Sequence, residues 1–262
     1  MAMVGVGYRQ PLAGWIDSQP SGLECLEITA EHFFDGGHER LRQLRGRFAL
    51  FVHGLGLSLG TPGPLDAERL DRFARVVEAA QPEWISEHVA FTRTPETDLG
   101  HLNPIRPTRE SARLIADHAR AVADRCQRPI ILENITSHLR INGELSEPEF
   151  LNAVCEAADC GLLLDVTNLF ISSRNHGFDA LEWLRALDPA RIVQLHIVGF
   201  AQRGERYADD HAHPVQPELL DLAREVIAYA PVRAIILERD VDFPAAETMA
   251  DELDKLRRLF VA

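Results

Sequence analysis

Cysteine is scarce in this chain, and long apolar runs and basic runs are missing from it. The four cysteines, Cys25, Cys126, Cys155 and Cys160, form no CxxC pair and no zinc-ribbon spacing. That excludes a thiolate zinc module and leaves four thiols expected in the core. No apolar stretch reaches the ~18 residues that span a bilayer. The N-terminus lacks the basic-then-apolar layout of a signal peptide. A cytoplasmic location with no membrane contact is therefore expected. The 27 basic and 40 acidic side chains leave a formal net charge of −13. A phosphate-backbone binder needs a basic footprint, so no nucleic-acid partner is expected. The cluster Arg40, Arg42, Arg45 and Arg47 reads as a solvated helix face. A dinucleotide fingerprint is missing too: GVGYR at 5–9 lacks the third glycine.

What is present is alternation. With 262 residues, 46% hydrophobic and 26% charged, the chain has an ordinary globular mixture and enough length for a real core. Short apolar runs lie at Met3–Tyr8, Leu23–Ile28, Phe48–His53, Trp84–His88, Pro129–Glu133, Leu162–Asp165, Ile192–His196 and Ala234–Glu238. Several are apolar on both faces, as strands of a buried parallel sheet are. Helical spacing fills Asp66–Ala80, Thr108–Cys126, Pro148–Ala158, Phe178–Leu187, Pro217–Ala228 and Ala245–Phe260. Eight strands alternating with helices predict an α/β chain, a (β/α)8 TIM-type barrel forming a single domain over 1–262, with its active site at the C-terminal strand ends. The stretch Arg9–Ser21, with Pro11, Gly14 and Pro20, reads as a loop in place of the first helix.

Six consecutive apolar runs end on or beside a metal-competent side chain: His53, His88, Glu133, Asp165, His196 and Glu238. One histidine at a strand end is ordinarily a hydrogen-bonded core residue, and one glutamate a surface group. Three carboxylates and three imidazoles buried at one barrel mouth are costly without compensating charge. A cluster of cations supplies it. Asp209 and His211, two apart in what reads as a loop after the seventh strand, can reach an ion as well. With no thiolate at the strand ends, the donors suit iron, manganese or catalytic zinc. The eight candidates exceed one ion's needs, which implies two or three ions sharing carboxylates.

At these residues the chain resembles the multinuclear non-heme iron-dependent oxidases, the family that includes the oxidase of methanobactin biosynthesis. The resemblance rests on GVGYR (5–9), LEITAEHFF (26–34), VHGLGLSLG (52–60), ISEHVAF (85–91), ILENITSHL (131–139), GLLLDVTNLFISSRNHGFD (161–179), QLHIVGF (194–200) and DDHAHPV (209–215). It implies a xylose-isomerase-like barrel with two or three irons of mixed Fe2+/Fe3+ state. Dioxygen would be the co-substrate. The substrate would be a ribosomally synthesised precursor peptide modified at one residue, expected to be cysteine. A separate leader-peptide-binding protein is the implied partner. Carried over by residue, His53 and His88 bind one iron, and Glu133 bridges to a second held by Asp165, His196 and Glu238. Asp209 and His211 hold a weaker third position. Asn134 and Asn168 lie behind the ligands or touch the third ion. Glu133, Asp165 and His196 carry the chemistry, and Ser172–Gly177 is expected among the mouth loops. The chain departs from the family pattern at Ala30-Glu31-His32, Asp165-Val166-Thr167-Asn168 and Asp209-Asp210-His211. A redox-neutral isomerase or hydrolase on the same barrel is the alternative, as is a metal-binding subunit without activity of its own.

Overall fold

A computed structural model describes residues 2–94 and 96–261. The barrel strands are β1 (Met3–Gly7), β2 (Cys25–Thr29), β3 (Ala49–His53), β4 (Ile85–His88), β5 (Ile130–Glu133), β6 (Gly161–Asp165), β7 (Ile192–Ile197) and β8 (Ala234–Leu237). They close in the order β1-β8-β7-β6-β5-β4-β3-β2, every neighbour parallel. This is the (β/α)8 barrel that the alternation of runs predicts. Among the described residues, no helix is long and apolar enough to cross a membrane.

Side chains alternate across each strand. The outward set, including Val4, Leu26, Val52, Ile85, Leu132, Leu164, Leu195 and Ile235, packs beneath the helices in the main core. The inward set forms a second apolar cluster: Cys25, Phe51, Trp84, Ile131, Leu163, Ala234 and Ile236. Phe51 and Trp84 stack there with ring centroids 4.2 Å apart. Two residues further along β3, β5 and β6, the same inward phase gives His53, Glu133 and Asp165. An apolar floor therefore lies directly under the polar mouth. Gly5 belongs to this inner wall, and a Cβ there would run into the Cys25 carbonyl and thiol.

The helices follow sequence logic where the signals are strong. Asp66 caps Ala67–Ala80 by accepting from the Glu68 and Arg69 N–H groups, and Thr108 closes a capping box on Arg109–Cys126. Glu147–Ala158, Pro217–Tyr229 and Ala246–Arg258 lie where spacing places them. Elsewhere the structure corrects the expectation. Gln10–Leu12 is a 3-10 turn that runs into a short helix, Ala13–Asp17, because Pro11 falls in the first turn, where proline starts helices. Val166–His176 is a helix seated directly on β6, so Ser172–Gly177 is its last turn and not a mouth loop. Ala180–Arg185 then follows as a separate helix. Asp209 to His213 lies in the strand Arg206–His213, paired antiparallel with Gly199–Arg203. A second hairpin joins Phe91–Arg93 to Asp98–Asn103.

The arginine cluster spans the helix His38–Arg45 and its end, and its charges are partly matched. Arg40 and Arg47 both pair with Asp17, and Arg42 with Glu39. All four cysteines are unpaired, three of them buried.

The barrel floor should dominate stability. Phe51→Ala removes a fully buried ring from a close-packed layer and should cost about 3–5 kcal/mol in urea unfolding of the metal-free protein. A loss below about 1 kcal/mol would mean that the floor repacks around the missing ring.

Candidate metal centre

Strand register brings the strand-end residues together. His88 is level with Glu133 across β4 and β5, and Asp165 with His196 across β6 and β7. His53 Nε2 and His88 Nε2 each lie 3.4 Å from Glu133 Oε2. His196 Nδ1 lies 3.3 Å from Glu133 Oε1 and 3.1 Å from Glu238 Oε2. Donor atoms of His53, His88 and Glu133 fall within 4.8 Å of one another, and so do those of Glu133, Asp165, His196 and Glu238. Glu133 belongs to both groups. All six expected strand-end residues are buried and meet at one barrel face.

The far ring nitrogens are held from outside. Ser86 Oγ is 2.8 Å from His53 Nδ1, Glu87 Oε1 is 3.2 Å from His88 Nδ1, and Glu27 Oε1 is 2.7 Å from His196 Nε2. Such outer partners fix which nitrogen faces an ion. Asn134 works on the backbone: its Oδ1 accepts from the Asp165 N–H at 2.8 Å, and its amide donates to the Asp165 carbonyl at 3.1 Å. Asn168 N–H donates to Asp165 Oδ1 at 2.6 Å, while Asn168 Oδ1 is buried without a hydrogen-bond partner.

A third group forms at the hairpin, with a different membership from the expected pair. His211, Glu238 and Asp240 bring donor atoms within 4.8 Å of one another. Asp209 is outside this group. Its Oδ2 sits 2.9 Å from His211 Nε2 and orients the ring, which leaves Nδ1 3.1 Å from Asp240 Oδ2. His211 has φ 52°, a left-handed backbone that turns its side chain away from the regular strand alternation. Buried Arg239 and Glu252 pair at 3.1 Å and clamp the hairpin to the last helix, Arg239 donating to the Ala212 carbonyl and Glu252 accepting from the Val215 N–H. Arg9 donates to Asp240 Oδ1 at 2.6 Å and lies 3.8 Å from Glu238.

Sequence reasoning missed Asp240, Arg9, Glu27, Ser86 and Gln194, and placed Glu87 beside His88 at the end of the fourth strand without giving it a role. Glu27, Ser86 and Gln194 lie in the inward phase, two residues before a strand end. Period two applied backward from Thr29, His88 and His196 would have found them. Asp240 lies beyond β8, where no periodicity points to it. Of the departures from the family pattern, His32 lines the cavity, whereas Thr167 Oγ1 turns to the Val198 carbonyl at 2.7 Å.

The electrostatics are those of a site that expects positive charge. Burial opposes protonation of His88, yet Glu133 and Glu87 outweigh it and raise its pKa to about 9. At His211 burial is likewise outweighed, by Glu238, Asp209 and Asp240, and the pKa rises to about 12. Burial and the nearby Glu133 and Asp209 push Asp165 well above the carboxylate range. His53 moves the other way, lowered by burial and by His88 and His196 beside it. Burial and Glu87 raise Glu31, at the rim, to about 7.

The residues fit an ion cluster on two grounds. Buried atoms without hydrogen-bond partners include His53 Nε2, Glu133 Oε2, His196 Nδ1 and His211 Nδ1, each turned toward the other donors. The donor set is imidazole and carboxylate with no thiolate, which suits iron, manganese or zinc. A cavity of about 500 Å³ opens beside it, lined by Glu133, Asp165, Asn168, His211, Glu238 and Arg9 among others.

Residues 3–260 match the family model described as RiPP precursor modification enzyme MbnB/TglH/ChrH. A UPF0276 protein of Shewanella oneidensis is 34% identical over 262 residues, covering 97% of this chain and 92% of that protein. Endonuclease IV from Thermus thermophilus superposes over 99% of both chains with a TM-score of 0.64 at 18% identity. A xylose isomerase domain protein from Alicyclobacillus acidocaldarius superposes over 98% of both chains with a TM-score of 0.64 at 14% identity. The two solved structures establish the xylose-isomerase-like barrel and nothing finer.

The raised histidines fix a pH dependence for the metal-free protein. A histidine whose folded pKa is raised stabilises the fold below its unfolded value of about 6.5 and loses that contribution as pH climbs through the folded value. For His88 the loss runs up to about 9, and for His211 up to about 12. The raised carboxyls of Asp165 and Glu31 act in the same direction. The melting temperature of chelated protein should fall steadily from about pH 6.5 to 9, and added divalent ion should flatten the slope. A flat or rising profile in chelator would contradict this electrostatic assignment.

Proposed function

The chain belongs to the RiPP precursor modification enzyme family MbnB/TglH/ChrH, and from that premise we propose that it is a non-heme iron oxidase acting with dioxygen on a ribosomally made precursor peptide. The observation that carries the reading is the double membership of Glu133, whose two oxygens face His196 on one side and His53 and His88 on the other. A carboxylate so placed serves two ions at once.

His53, His88 and Glu133 would hold one ion. Glu133, Asp165, His196 and Glu238 would hold a second. His211, Asp240 and Glu238 would hold a third, with Asp209 orienting His211 and Asn168 lining the same cavity. Bound iron, in mixed Fe2+/Fe3+ state, would supply one-electron chemistry and an open position for dioxygen. The chain's part is placement. The cavity admits the substrate residue, a cysteine in this reading, beside Glu133 and Asp165. Arg9 balances part of the carboxylate charge while holding Asp240 still. A separate leader-binding protein delivers the precursor. The second reading, a redox-neutral metal isomerase or hydrolase, is supported by the barrel shared with the two solved structures. The net charge of −13 disfavours a nucleic-acid substrate for it.

Purified protein should contain iron with a visible absorption band and consume dioxygen when given a precursor peptide encoded beside its gene, with a mass change on the peptide. Colourless zinc or manganese protein without dioxygen uptake would favour the second reading. Glu133→Ala should remove more than one ion's worth of metal, and full occupancy in that variant would refute the bridge.

His211→Ala should keep the strand-end ions and lose peptide oxidation, because the hairpin group offers fewer rigid donors than the strand ends. Metal stoichiometry beside turnover checks this. Loss of all metal would show that the hairpin holds the cluster together, and unchanged turnover would make His211 a bystander.

A further inference from the structure

A line of buried side chains joins the barrel floor to the metal centre. The Trp84 indole N–H donates to Gln194 Oε1 at 2.7 Å. Gln194 Nε2 donates to Glu27 Oε2 at 2.5 Å, and Glu27 Oε1 lies 2.7 Å from His196 Nε2. None of the four residues is more than 3% exposed, so water does not substitute for any partner.

The directions of the first two bonds are fixed by one group. An indole nitrogen can only donate. Gln194 must therefore turn its carbonyl to Trp84 and its amide nitrogen away. That nitrogen in turn can only donate, so Glu27 Oε2 must accept. Glu27 Oε1 is the atom left for His196 Nε2, and a glutamate oxygen that accepts there places the imidazole proton on Nε2. When an ion binds, Nδ1 is then the nitrogen that offers a lone pair, and it faces the space between Glu133 and Glu238. The 3.2 Å approach of Gln194 Nε2 to His196 Nε2 is then that of two donors converging on one carboxylate.

We propose that Trp84, through Gln194 and Glu27, sets the tautomer of His196 and so makes Nδ1 its ion-binding atom. All three are positioning residues. The inference rests on the reading that ions bind at the barrel mouth and is independent of which metal or oxidant the enzyme uses.

An exchange of the two middle groups tests it, with zinc as the probe ion. Glu27→Gln leaves one acceptor oxygen for two donors, so either one bond breaks or the His196 proton moves to Nδ1, where it blocks the ion. Zinc binding at the His196 group should weaken about 10–100-fold, as loss of an outer partner does. The double variant Glu27→Gln with Gln194→Glu restores every donor to an acceptor. The indole meets the new carboxylate, which also accepts from the new amide, whose oxygen accepts from His196. Zinc affinity should recover most of the loss. A purely structural role predicts the reverse, because two core changes damage packing more than one. Nitrogen-15 shifts of His196 in the zinc-loaded protein should show the proton on Nε2 in the parent and in the double variant. Trp84→Phe removes the indole donor and keeps an aromatic ring, though a smaller one, in the stack; it should weaken zinc severalfold, which carries the test if Glu27→Gln does not fold. Parent-like affinity in Trp84→Phe, or a double variant no tighter than the single, would overturn the proposal, as would a proton on Nδ1. Absence of dioxygen uptake would sink the oxidase reading and leave these zinc affinities standing, so the two fail separately.

Discussion

Glu133 is the group around which the mouth of the barrel is arranged. One oxygen lies 3.4 Å from two imidazoles and the other 3.3 Å from a third. Its residue is almost fully buried, as are Asp165, His53 and His196. So many ionisable groups in so little space are costly, because taking ions out of water costs several kcal/mol each before any pairing. In the metal-free chain protonated imidazoles supply part of the balancing charge, and cations between the donors would supply it in the proposed enzyme. The neighbouring features follow from that need: partnerless atoms turned inward, imidazoles gripped from behind by Ser86, Glu87 and Glu27, and Arg9 posted at the rim.

The layer beneath explains how a barrel tolerates this load. Phe51, Trp84, Ile131, Leu163 and Ile236 fill the interior under the donors, so the strands are locked before the charged layer begins. Closed parallel strands hold each donor to within the play of one side chain. The hairpin group is held differently, by a left-handed residue and the Arg239–Glu252 clamp. That contrast matches the division between the strand-end ions and the labile third position in the proposed function.

Much of this architecture was readable in the residues. Eight apolar runs ending on polar groups are a local signal, and parallel closure turns a local signal into a common face. His53, His88, Glu133, Asp165, His196 and Glu238 were all reachable by that rule. The misses are of three kinds. Val166–His176 follows β6 without a break, so its helical spacing merged with the apolar run before it, and Ser172–Gly177 looked like loop. Asp240 and the true partners of His211 depend on a hairpin whose pairing no short stretch specifies. Glu27 and Gln194 were hidden for a simpler reason: attention to strand ends overlooks the residues two positions below them.

The donors sit mainly on strands, whereas the cavity walls come from hairpins and connecting segments. This separates what the catalyst is from what it recognises. Lineages that exchange His32 or the Leu55 segment could acquire a new substrate while keeping the strand-end donors intact, whereas a change in the Gly199–His213 hairpin would also touch His211. Divergence in such a lineage should therefore be read as a change of clientele on a fixed chemical engine, with the barrel strands recording descent and the rim recording diet.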